Sequence, residues 1–191
     1  MKTSSTLALL ALSAAALGFS SSAFAQQKLI PAQSDISFIT KQMGVALDGH
    51  FKKFDAQISF ETAKPEAAKI GFTIDSGSAT LGAPESDAEL PKAAWFNVAK
   101  FPQATFQSSS VKALGGGKYQ VSGKLTIKGN TKDVEVPVAL TQAGAVTTAT
   151  GQFVLKRLAY KIGDGEWADT SMVADDVTVK FKLALSGMGK L

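Results

Sequence analysis

An all-β fold is predicted for this chain, an antiparallel sandwich or barrel of about eight strands with one short helix. Three observations predict it. Apolar and polar residues alternate with period two along most of the sequence, no segment carries a long helical period, and glycine-bearing turns separate the alternating runs. The 191 residues, 45% hydrophobic and 19% charged, suit one domain with a real core or a lined cavity, not a disordered polyelectrolyte.

Residues 1–25 read as an export signal. Met1-Lys2 is a short basic start, Leu7 to Phe19 an apolar run, and Ala23-Phe24-Ala25 the small-x-small pattern cleaved before Gln26. The run is about 13 residues, short of the ~20 that a permanent span requires. Residues 26–191 then form a single domain, expected in the periplasm with no transmembrane segment in the mature chain.

Within that domain Ile36 and Phe38 share one face of a first strand, and Val45, Leu47, Gly49 and Phe51 one face of a second. Ile58 with Phe60 mark a third, and Ile70, Phe72 and Ile74 a fourth. Tyr119, Val121, Gly123, Leu125 and Ile127 follow, then Val134, Val136, Val138 and Leu140, then Phe153 and Leu155. The last strand alternates most cleanly, from Val177 to Leu185. Gly115-Gly116-Gly117 reads as a hairpin loop, Gly129-Asn130 as a turn and Gly163-Asp164-Gly165 as a further loop. Glu85 to Lys100 is the exception. Ser86-Asp87-Ala88-Glu89 can cap and start a helix with Leu90, Ala94 and Val98 on one face, which Pro91 limits to one or two turns.

The absence of cysteine excludes disulfide scaffolds, thiolate nucleophiles, zinc ribbons and iron–sulfur clusters. The single histidine, His50, sits on the outward phase of its strand, and no G-x-S-x-G turn or Ser-His-acid order is present. No catalytic residue, metal site or enzyme activity is assigned. Asp175-Asp176 and Glu85/Asp87 read as turn and cap residues. The net charge of +4 is spread along the chain with one arginine, Arg157, and no basic patch interleaved with aromatics, so no nucleic-acid partner is expected.

What stands out is twelve phenylalanines together with Trp95 and Trp167. They either fill an ordinary core or line a cavity, and patterning alone does not separate a filled barrel from a hollow one. The inward phase marks Phe38, Phe51, Phe72, Ile74, Gly123, Leu125, Ile127, Phe153 and Phe181 as cavity candidates, joined by Trp95, Phe96 and Phe106 of the aromatic turn. Trp95, Phe96, Phe101 and Phe106 are expected to be mostly buried. Gly123, with no side chain on the inward phase, is the position where Gly123→Phe should distinguish a hollow barrel from a solid one. Lys128 and Lys132 read either as a solvated hairpin tip or as rim contacts to an anionic head group.

The stretch Trp95-Phe96-Asn97-Val98-Ala99-Lys100-Phe101-Pro102-Gln103-Ala104-Thr105-Phe106-Gln107-Ser108 resembles the hallmark of the YceI-like family, an aromatic turn followed by K-(Y/F)-P-x-(A/I)-x-F-x-S. Gly123-Lys124-Leu125-Thr126-Ile127-Lys128-Gly129-Asn130-Thr131-Lys132 is similar to its G-x-L-T-I-(R/K)-G-x-T-(K/R). Gly49-His50-Phe51 and Ile74-Asp75-Ser76-Gly77-Ser78 resemble its G-x-F and I-D-x-x-S. The resemblance implies an extended antiparallel lipocalin-like barrel that binds a polyisoprenoid, quinone-like or other long-chain amphiphilic lipid, without cofactor or covalent chemistry. The chain departs from the family at Ser34-Asp35-Ile36-Ser37, which lacks the histidine of D-x-x-H-S. It departs again at Glu85 to Leu90, which lacks the arginine and histidine of R-D-x-H-L. Ile162-Gly163-Asp164-Gly165-Glu166-Trp167 resembles a subgroup encoded beside membrane b-type cytochromes, which implies such a cytochrome as partner. The alternative is a non-enzymatic interaction module, a filled barrel that docks onto a membrane cytochrome or envelope partner.

Overall fold

A computed structural model of the protein describes residues 27–191, so the expected signal segment lies outside the described residues. The strands are β1 (Lys28–Leu29), β2 (Asp35–Gln42), β3 (Val45–Phe51), β4 (Phe54–Ser59), β5 (Lys69–Asp75), β6 (Ala79–Thr80), β7 (Gln103–Gly115), β8 (Lys118–Ile127), β9 (Asn130–Ala143), β10 (Val146–Lys156) and β11 (Asp176–Ser186). The single α-helix among the described residues, α1, spans Pro84–Glu89. No helix there is long and apolar enough to cross a membrane.

All strand pairs are antiparallel, and the sheet runs β4-β5-β7-β8-β9-β10-β11-β2-β3-β6 with β1 beside β11. Only Lys52 and Lys53 separate β3 from β4, so these are two halves of one bent strand and the sheet curls back on itself. With β1 and β6 only two residues long, eight long strand positions remain, as the alternation predicts. Gln27 laces one end. Its backbone N–H donates to Ile58 O at 2.9 Å, and its side-chain carbonyl accepts from Phe60 N at 2.8 Å, while β1 pairs with β11.

The wall is not uniform. β10 pairs with β11 along its whole length but with β9 only from Val146 to Gly151. Asn130 to Pro137 of β9 pair with β8 and have no strand partner on the β10 side among the described residues. Proline lacks the N–H that would continue the ladder, and Pro137 stands where pairing stops.

Two elements differ from expectation. Strand β7 escaped the alternation test because a bulge between Ser108 and Ser110 breaks its period, so that Ala104 and Phe106 point inward on one phase and Val111 on the other. The helix begins earlier than expected and ends before Pro91. Pro84 opens it after Ala83, with no side-chain cap. Asp87 instead accepts hydrogen bonds from Thr80 Oγ1 and Leu81 N at 2.5 and 2.6 Å, which holds its carboxyl below the usual range. Leu90, Ala94 and Val98 therefore lie in successive turns, not on one helix face. These turns are closed by Phe96 N donating to Leu90 O and Phe101 N to Asn97 O, with Asn97 in the left-handed region at φ 50°.

Candidate functional site

Apolar side chains gather in clusters that surround an empty centre. Leu90, Phe96, Ile127, Leu155, Tyr160 and Ile162 pack at the α1 end, and Ile58, Phe60, Val111, Tyr119, Val121 and Leu185 at the other. Between them lies a cavity of about 310 Å³. The barrel is hollow.

Phe38, Phe51, Phe72, Ile74, Leu125, Ile127, Phe153 and Phe181 line it, as the inward phase predicts, and so do Trp95, Phe96 and Phe106 of the aromatic turn. Phe51, Phe72, Phe106, Phe153 and Phe181 are only half-buried despite pointing inward. Gly123 does not line the cavity, which corrects the sequence reading. A Cβ built there would lie 2.4 Å from Gln107 O and 2.5 Å from Phe106 Cζ, so the Phe106 ring covers the position. Gly123→Phe would strain the wall of a hollow barrel as readily as it would overpack a solid one. The same arrangement recurs where Phe38 lies across Gly49 and Phe181 across Gly151. Glycine at these points lets a ring lie flat against the neighbouring strand, where a Cβ would push it into the lumen.

The aromatic turn folds over the α1 end. Phe96 is buried, whereas Trp95, Phe101 and Phe106 are half-buried, less than expected. Phe96 meets Phe51 edge-on at 5.9 Å, and Phe51 meets Phe38 at 5.3 Å. Trp95 packs on Trp167 with centroids 5.6 Å apart, and both rings line the cavity. The Trp95 indole N–H is buried without an acceptor among the described residues.

Two cations secure this end. Arg157, 1% exposed, directs all five N–H groups at backbone carbonyls: Ala174, Ile162, Gly163, Trp167 and Val173. It pins the 158–175 segment to the barrel, and burial pulls its guanidinium below the ordinary range. Sequence reasoning missed this role, for which a lone arginine in a lysine-rich chain was the available signal.

Lys128 is the second cation and a further correction. It is neither a solvated tip nor a free rim contact. It is 8% exposed, and its Nζ donates to Ala94 O at 3.1 Å, to Lys161 O, and to Asp164 Oδ1 at 3.4 Å. The turn itself is Lys128-Gly129, both at positive φ, one residue before the predicted position. Lys132 is exposed, pairs in register with inward Leu125 along its backbone, and its ammonium makes no hydrogen bond or ion pair among the described residues. It stands on the unpaired stretch of β9.

The remaining titratable candidates are structural. His50 Nδ1 lies 3.1 Å from Asp35 Oδ1 on the exposed face. Asp175 accepts from Leu158 N, and Asp176 pairs with Lys156. Tyr160, in the apolar cluster with Leu155 and Ile162, has its phenol pushed up to about 12 by burial.

A curled antiparallel barrel around an almost wholly apolar cavity defines a lipocalin-like class of fold. Comparison with known proteins agrees: residues 28–185 match the YceI-like domain, and the chain belongs to that family. A UPF0312 protein of Azotobacter vinelandii is 36% identical over 135 residues, covering 69% of this chain and 70% of its own. One from Yersinia pestis is 41% identical over 110 residues, 57% of each chain. Among solved structures, Burkholderia cenocepacia BcnA superposes with a TM-score of 0.79 at 45% identity, over 82% of this chain and 98% of BcnA. A domain from Saccharophagus degradans, described as polyisoprenoid-binding and implicated in plant cell wall breakdown, gives 0.69 at 17% identity, over 85% of this chain and 98% of its own. That last likeness shows the fold.

Proposed function

We propose that this chain is a periplasmic, non-enzymatic binding or carrier protein for a polyisoprenoid, quinone-like or similar long-chain lipid held in the barrel. The observation that carries the reading is the apolar cavity, in whose wall Phe38, Phe106 and Phe181 cover Gly49, Gly123 and Gly151. The polyisoprenoid-binding description of the Saccharophagus degradans domain supports the ligand class. Each buried CH₂ contributes roughly 0.8 kcal/mol, so ten give about 8 kcal/mol gross. Association costs about 4–15 kcal/mol, so only a long tail binds usefully. An aqueous compartment between two membranes is where such shielding serves a lipid.

Native mass spectrometry and lipid extraction of the exported protein test this directly. A co-purifying lipid of defined mass, released on unfolding, is expected. Protein that is empty as isolated and takes up no added isoprenoid would end the carrier reading. Recovery of a stoichiometric membrane cytochrome with an empty barrel would favour the docking-module alternative.

A further inference from the structure

We propose that the cavity selects a lipid whose polar end is uncharged, such as a polyprenyl alcohol or a quinone, and discriminates against phosphorylated isoprenoids. The inference rests on the carrier reading and adds the chemistry of the head group. It follows from which donors at the α1 end are already engaged. Arg157 lines the cavity, yet each of its N–H groups is taken by a backbone carbonyl. Lys128, beside it, is taken by two carbonyls and a carboxylate. Turning either toward a phosphate would strip the carbonyls that hold the 158–175 segment and the aromatic turn.

The other charged residue on the wall is Glu89, whose carboxylate pairs with Lys92 and repels an anion. The remaining polar groups at this end are Thr40, Gln42 and Ser86, all neutral. The buried donor left without an acceptor is also neutral, the Trp95 indole N–H. Lys132, the unpaired lysine of β9, is exposed and does not line the cavity, so a diphosphate drawn into this space would give up its hydration with no free cation among the lining residues to replace it. A hydroxyl or a quinone carbonyl gives up far less and can accept from a neutral donor.

Trp95 and Trp167, the chain's two tryptophans, both line the cavity, so intrinsic emission reports occupancy. Delipidated, full exported protein is titrated with geranylgeraniol and with geranylgeranyl diphosphate, which share one tail, at low and high salt. The alcohol is expected to bind roughly tenfold or more tightly. Ser86→Lys, which adds a free cation at the wall, is expected to raise diphosphate affinity by about tenfold and leave that of the alcohol unchanged. Equal or tighter binding of the diphosphate by the parent protein, weakening with salt, overturns the proposal while leaving the carrier reading intact. Binding of neither lipid overturns both.

Discussion

Phe181 on β11 lies across Gly151, its register partner on β10, so closely that a Cβ on Gly151 would stand 2.4 Å from the ring's Cζ. The same hypothetical atom would stand 2.4 Å from Pro137 O, a backbone atom that cannot rotate away. At Gly49 the three atoms nearest such a Cβ all belong to the Phe38 ring. The two sites should therefore respond differently to relief. Gly49→Ala and Gly151→Ala are each expected to destabilise by ~1–3 kcal/mol in urea unfolding. Adding Phe38→Leu should recover most of the loss at Gly49, whereas adding Phe181→Leu should recover little at Gly151. Equal rescue at both would show that the ring, not the carbonyl, sets the cost.

Truncation of a cavity wall should be mild. Phe153 is half-buried and faces the lumen, so Phe153→Ala enlarges space that already exists. Its cost is expected to fall below the ~3–5 kcal/mol usual for phenylalanine in a close-packed core. A loss within that usual range, measured by chemical denaturation without lipid, would mean that Phe153 is close-packed in solution.

Arg157 should matter far more than its distance from any chemistry suggests. Arg157→Met leaves carbonyls of Ala174, Ile162, Gly163, Trp167 and Val173 without their donors. A loss on the order of 3–5 kcal/mol is expected. Amide exchange should accelerate first across 158–175, and unchanged protection there would refute the pinning role.

Tyr160 makes the alkaline limb of stability steeper. Burial raises its phenol from 10.0 to about 12, so the native state holds that proton more tightly than the unfolded chain. The contribution is complete below pH 10 and is lost as pH rises through about 12. Tyr160→Phe should flatten the fall in unfolding free energy over that interval. Parallel curves for the two proteins would place the phenol in water.

Most of the barrel was legible because half-wet strands write their orientation into alternating residues, as from Val177 to Leu185 and from Tyr119 to Ile127. The cavity residues on those strands followed from the same phase, and Trp95, Phe96 and Phe106 from the aromatic turn. What stayed hidden depends on contacts between distant segments. The bulge at Ser108 to Ser110 erased the period of β7. Lys128 looked like a hairpin lysine because the carbonyls that bury it, on Ala94 and Lys161, are more than thirty residues away. Gly123 was correctly placed on the inward phase, but the ring that covers it comes from the adjacent strand. Alternation reports direction and is blind to what already occupies it.

The splayed stretch of wall bears on how this protein lives among copies of itself. Where β9 parts from β10, two strand edges lack a ladder partner among the described residues, and a bare edge is a template on which another chain can crystallise into sheet. The β9 edge carries exposed Lys132, Asp133, Glu135 and Pro137, so a docking strand would have to bury charge and would meet a residue that donates nothing. Val154, 59% exposed on the facing edge, is flanked by exposed Gln152 and Lys156. The residues that border the gap thus raise the cost of fibrous self-association across it, of turning a fissure in one molecule into a seam between two.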